Sequence, residues 1–170
     1  MTVNVVQSRD NSRELAAILA LVNQLVADGI VNRATTGPAL ADGTTDGKLQ
    51  NGADVSYQIA GQLYVKDATD DLWDLSGVTD TGSGEYQAHD LYLDAAGTAT
   101  IGSGTVAASA ALALAALPAI PATKAVIGVY VAGPSTDYNG AAGLTAQGTL
   151  TQGLDSARAH TAEAITFIGP

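Results

Sequence analysis

Between residues 55 and 131 the chain alternates short runs rich in Val, Ile, Leu and Tyr with Gly, Asp, Thr and Pro. Val55–Ile59 and the stretches 63–66, 71–75, 91–94 and 126–131 have the length and residue types of strands, and each ends at a turn former. A mainly β fold follows, a single β-sandwich or barrel-like domain. Ala60-Gly61-Gln62 is spaced for a tight hairpin between the first two runs. Further strands are expected at 86–94 and 98–101. Residues 105–117 are so rich in alanine that the period does not separate helix from strand; Leu112, Leu114 and Pro118 lean the segment toward an extended strand end. Pro118 and Pro121 enforce an extended connection into a buried strand at 125–131. Closing strands are expected at 144–150 and 162–168, with a short helical turn at 156–163 as the alternative for part of the latter.

The period changes near the amino end. After a β-prone start with Val3, Val5 and Val6, residues 11–28 read as a helix: Asn11 with Glu14 three residues on forms a capping box, and Gly29 supplies the closing left-handed residue. Leu15, Ile18, Leu19, Val22, Leu25 and Val26 fall on one stripe, widened by Leu21. Leu15, Ile18, Val22 and Leu25 also keep the 3-4-3 spacing of a helix–helix seam. The stripe serves either packing on the chain's own β domain or association with other copies, and the second reading is carried forward. Residues 30–51, crowded with Thr, Gly, Ala and Asp, show no period able to bury a face and read as an extended connector. The expected organisation is therefore an anchoring segment and oligomerisation helix at 1–33, a Thr/Gly-rich linker at 34–51, and the β domain at 52–170.

Composition narrows the functional classes. The 170 residues suit one domain with an appendage, and although 46% are hydrophobic, much of that is alanine, with six Tyr, one Trp and one Phe as the aromatics. Alanine buries little area, so a thin core and self-association are expected. The net charge is −10, from 17 acids against 7 bases, and the bases do not cluster. That argues against nucleic-acid binding, which needs a basic stripe to neutralise phosphates. There are no cysteines, so disulfides and thiol chemistry are excluded. No apolar stretch is long enough to span a bilayer, and the start lacks a secretion signal, so a protein made in a cytoplasm is expected.

Candidate chemistry is sparse. The acid-rich residues 67–74 fail the calcium-loop pattern and are read as a solvated turn that aims Trp73 into the core. Gly43-Thr44-Thr45-Asp46-Gly47-Lys48-Leu49 is one residue short of a phosphate loop and lacks the hydroxyl residue after the lysine. His89 and His160 are the only histidines; neither has a neighbouring nucleophile motif, and both are expected at a surface or interface rather than in catalysis. The six tyrosines would form a sugar-stacking platform if several shared an exposed face, or packing residues if they do not. No catalytic residue, metal or cofactor is expected.

The succession Tyr57, Gly61, Tyr64, then Leu72-Trp73-Asp74-Leu75, Leu91-Tyr92-Leu93-Asp94 with Gly97, Leu117-Pro118-Ala119-Ile120-Pro121 and Ile127-Gly128-Val129 resembles small structural proteins of tailed bacteriophages that decorate the capsid or build head fibres. The resemblance spans about half the chain, from Tyr57 to about Tyr138, and carries no catalytic motif. It implies a non-enzymatic β domain displayed on the virion, commonly as a homotrimer, with an amino-terminal portion docked on the shell and the major capsid protein as partner. On that expectation Leu15, Ile18, Val22 and Leu25 form the inter-subunit seam, and Val3, Val5 and Val6 anchor the protein by adding a strand to a partner's edge. A tail or baseplate fibre component and a carbohydrate-binding adhesion module are the alternatives.

Overall fold

The computed structural model describes residues 14–19, 32–140 and 142–152. Residues 14–19 are helical; the remainder of the expected 11–28 helix, the amino-terminal valines and the expected elements at 156–163 and 162–168 lie outside the described residues. From Asn32 onward the elements are β1 (Arg33–Ala34), β2 (Leu40–Asp42), β3 (Lys48–Asn51), β4 (Val55–Ile59), β5 (Gln62–Lys66), β6 (Thr69–Asp74), β7 (Gln87–Asp94), β8 (Ala99–Ser103), α1 (Ala110–Ala115), β9 (Lys124–Ala132), α2 (Leu144–Gln147) and β10 (Gly148–Gln152). The fold is mainly β, and its two sheets pack in a sandwich-like arrangement.

The large sheet runs β5-β4-β1-β9-β7-β8, with β10 also paired to β9, and the small sheet runs β2-β3-β6. Pairing is antiparallel except where β1 lies parallel to β9, Arg33 beside Val126. β9 is the spine: buried at every position after Lys124, it carries β7 along one side and β1 and β10 along the other. A near-continuous Val, Ile and Tyr run is what a strand buried on both faces requires.

Both faces of β9 are occupied. Between the sheets, Leu49, Val55, Tyr57, Trp73, Leu75, Leu91, Leu93, Ile127 and Tyr130 form the main core. Trp73 enters it from β6 as its sequence context predicts, and its indole N–H donates to the Tyr92 carbonyl at 3.1 Å. On the opposite face, Ala88, Tyr92, Val126, Val129 and Val131 pack under Ala113 of α1, with Leu114, Leu117 and Ile120 at the margin. Gly102 is required there. A Cβ at that position would meet the Tyr92 ring at 2.5 Å.

Three expectations are corrected. The Thr/Gly-rich linker at 34–51 is woven into both sheets as β1, β2 and β3, with Ala34 and Leu49 fully buried. Its buried positions are few and separated by polar residues, but each has a partner far along the chain: Ala34 faces Tyr57, and Leu49 faces Trp73. Asn51, also buried, satisfies its side chain on the carbonyls of Ala53 and Asp67 and the amide of Thr69. The second correction falls in 105–117, where residues Ala110–Ala115 are helical rather than an extended strand end. Ser109 caps them by accepting from the Leu112 amide; alanine and leucine are the strongest helix formers, and the cap supplies the start that composition does not show. The third concerns 144–150, where a helical turn, α2, precedes the closing strand β10.

The β4–β5 hairpin matches its expected position and closes on Ala60 (φ 51°) and Gly61 (φ 80°), the pair of positive φ angles that fits the twist of a two-residue hairpin. Ala60 is a non-glycine residue in left-handed backbone, which costs about 1–2 kcal/mol. Ala60→Gly relieves it, less the entropy that glycine adds to the unfolded chain. The expected result is a gain of about 0.5–1 kcal/mol, read as a higher urea midpoint at unchanged slope; an unchanged or lower midpoint would show that the turn is unstrained.

Candidate functional site

The expected seam is legible in part. Leu15 and Ile18 lie within the helical residues 14–19, all of which are exposed; Leu15 is 71% exposed, Ile18 59% and Leu19 60%. Val22 and Leu25, and the anchoring candidates Val3, Val5 and Val6, lie outside the described residues. Isolated short helices are marginal in water, and most helices in proteins owe their stability to packing of an apolar face. Among the described residues no such packing covers Leu15, Ile18 or Leu19.

A second apolar surface, missed in the sequence, lies on β5 at the end of the large sheet. The hairpin register pairs Tyr64 with Tyr57 and Leu63 with Gln58. Tyr64 therefore turns toward the core, its ring stacked on that of Tyr57 at 5.7 Å, and Leu63 and Val65 turn outward. They are 71% and 65% exposed. Nearby, a groove of about 330 Å³ is lined by Asn32, Ala60, Ile120 and Ala122. Asn32 is clamped at that groove: its side chain donates to the Ala122 carbonyl at 2.8 Å and accepts from the Ala60 amide at 2.8 Å.

His89 is not at a surface. It is fully buried on β7, with Nδ1 2.9 Å from the Ser103 hydroxyl and Nε2 2.8 Å from the Tyr138 hydroxyl. Its ring stacks on Tyr130 and meets Tyr138 edge-on. Burial pushes its pKa down to about 4. Burial also pushes the Tyr138 phenol well above the usual tyrosine range, so the group on Nε2 is neutral. A hydrolytic triad places a carboxylate on the second ring nitrogen to raise its basicity; here that place is taken by Tyr138, and the imidazole is a weak base. The pairing was hidden in the sequence because His89 and Ser103 are 14 residues apart and meet only through the β7–β8 register.

The acidic residues at 67–74 fasten turns. Asp70 accepts from the Thr44 amide at 3.0 Å and hydroxyl at 2.5 Å, and Asp71 accepts from the amide and hydroxyl of Thr45. The Thr44 hydrogen bonds hold the Asp70 carboxyl below its usual range. These bonds tie the β2–β3 turn to β6. Among the described residues no group of three or more His, Cys, Asp or Glu is placed to hold a metal ion, and no helix is long and apolar enough to cross a membrane. The tyrosines resolve toward packing: Tyr57, Tyr92, Tyr130 and Tyr138 are buried, so four of the six present no ring face to a sugar.

Searched against family models, curated proteins and solved structures, the chain matches none of them.

Burial of His89 sets a pH dependence. Its pKa is lowered from 6.5 in the unfolded chain to about 4 in the folded one. Above pH 6.5 both states are neutral there, and the group adds no pH-dependent term. Between 6.5 and about 4 the unfolded chain binds a proton that the folded chain refuses, so stability falls as pH falls, by roughly 3 kcal/mol over the window. Asp70, Asp74 and Asp94, whose pKa values are lowered, withdraw their stabilisation at lower pH, as protons reach them. Urea denaturation at pH 7 and 4.5 should show the loss, and His89→Gln should flatten it. An equal slope in the variant would place the titrating group elsewhere.

Proposed function

We propose that this chain is a non-enzymatic structural protein of a phage virion, decorating the capsid exterior and assembling, as a homotrimer, through its amino-terminal helix. The observation that carries the reading is the exposure of Leu15, Ile18 and Leu19, three apolar side chains on one helical stripe that stand open among the described residues. A stripe of that kind is stabilised by other helices. The seam is Leu15, Ile18, Val22 and Leu25; Val3, Val5 and Val6 add a strand to an edge of the major capsid protein, and the β body stands in solvent. The net charge of −10 favours a displayed body that stays soluble at the high local concentration of a particle surface. The weakly basic setting of His89 supports a structural role over hydrolysis.

Each buried Leu, Ile or Val of the seam contributes about 1.5–3 kcal/mol. Ile18→Asp with Val22→Asp removes two per chain, which weakens association by at least about 100-fold. Size-exclusion chromatography with light scattering should find the variant as a folded monomer. A variant that keeps the parent mass would eliminate the seam. Localisation on intact particles tests the site of action: density on the capsid exterior is expected, and density confined to the tail would contradict it.

A further inference from the structure

The chain holds two Asn-Gly pairs, Asn51-Gly52 and Asn139-Gly140. Asparagine followed by glycine is chemically labile: glycine has no Cβ to shield its backbone nitrogen and leaves the chain free to bring that nitrogen onto the preceding side-chain amide. Turns favour the same two residue types. The fold treats the two pairs in opposite ways.

Asn51 ends β3 and is fully buried. Its side chain is engaged in three bonds: Nδ2 donates to the carbonyls of Ala53 and Asp67, both at 3.0 Å, and Oδ1 accepts from the Thr69 amide at 3.1 Å. The Gly52 amide donates to the Ala39 carbonyl at 3.0 Å. For Gly52 N to reach Cγ of Asn51 all of these bonds have to open, beside the pairing of β3 with β2 and β6.

Asn139 is exposed in the loop after Tyr138. Its backbone amide donates to Asp137 Oδ1 at 2.9 Å, and among the described residues its side chain has no hydrogen-bond partner. The turn is held by its neighbours instead, the Asp137 amide donating to Gln147 Oε1 at 2.9 Å and the Tyr138 amide to Asp80 Oδ1 at 3.0 Å. The Gly140 amide donates to the Asp137 carbonyl at 3.1 Å, the one bond of the reacting groups that has to open. The same turn requires the glycine: a Cβ on Gly140 would be crowded, 3.1 Å from Asp137 Oδ2 and 3.3 Å from the Asp137 carbonyl oxygen. The labile pair is thus kept by the turn while its side chain stands in water.

We infer that Asn139 is a site of spontaneous deamidation, converted by water to isoaspartate and aspartate, and that the fold protects Asn51 from the same reaction. Gly140 N gives up its proton to solvent base and bonds to Asn139 Cγ; the Cγ–Nδ2 bond breaks, and ammonia leaves with that electron pair and a proton. Water then opens the five-membered succinimide at either carbonyl. An amide and one water become an acid and one ammonia, with no change of oxidation state. Both products place a carboxylate beside Asp137 on a chain already at −10, and isoaspartate lengthens the main chain next to Tyr138, whose phenol is fixed on the buried His89. The reaction needs no partner and no assembly.

The test is a peptide map of the folded, full-length protein during incubation in mildly alkaline water enriched in heavy oxygen. Cleavage after Lys and Arg puts Asn51 in the peptide 49–66 and Asn139 in the peptide 125–158, each the only asparagine of its peptide. Heavy oxygen should enter at residue 139, with the peptide splitting into isoaspartate and aspartate forms, and Asn51 should react at least about tenfold more slowly, the factor for opening one or two further hydrogen bonds. In urea the two pairs should react at similar rates. Asn139→Gln, which leaves the turn's backbone bonds in place, should abolish labelling of 125–158. No labelling at residue 139, or equal rates at both pairs in the folded protein, would overturn the inference. So would the same rate ratio in urea, which would trace the difference to local sequence rather than to the fold.

Discussion

Packing of the small sheet against the inner face of the large one is the interaction on which the rest depends. Trp73 and Leu49 from the small sheet meet Tyr57, Leu91, Leu93 and Ile127 from the large one, and the Trp73 indole bond to the Tyr92 carbonyl fixes how the sheets lie. Polar bonds at the rim hold that packing in place. The paired Thr–Asp contacts of Thr44 with Asp70 and Thr45 with Asp71 join β2–β3 to β6, and Thr145 joins α2 to Asp42 of β2 through its amide and hydroxyl. Since alanine supplies so much of the apolar composition, a few large side chains carry most of the buried area.

His89 shows how the same constraint shapes chemistry. A histidine between two hydroxyls, one of them on Ser103, has the outline of a nucleophile and its base, yet burial lowers its basicity and Tyr138 occupies the nitrogen that a carboxylate would need. What results is a polar bridge from β7 to β8 and to the loop carrying Tyr138. That loop lies tight against the β2–β3 turn, where a Cβ on Gly47 (φ 77°) would fall 1.9 Å from the Tyr138 carbonyl oxygen. Substitution there would disturb both sheets.

Much of the β architecture was legible, for reasons particular to each element. β4, β5 and β9 announce themselves because β-branched and aromatic residues are dense and the turns between strands are marked by Gly and Pro. α1 was not legible, because alanine carries little periodic contrast and the Ser109 cap is a geometric event. The region 34–51 was misread for another reason. Its strands are two to four residues long, and their burial is conferred by partners such as Tyr57 and Trp73 rather than by a local pattern. The β5 face was invisible because Leu63 and Val65 look like core residues until the register turns them outward. For the amino-terminal helix, Leu15, Ile18 and Leu19 share the stripe that the sequence predicts and stand open among the described residues.

Assembly through those apolar surfaces is tested most directly by the mass of the unmodified protein in solution. Sedimentation equilibrium at micromolar concentration should return three times the 17.0 kDa of the chain. A single species of 17.0 kDa that persists as concentration is raised would contradict it.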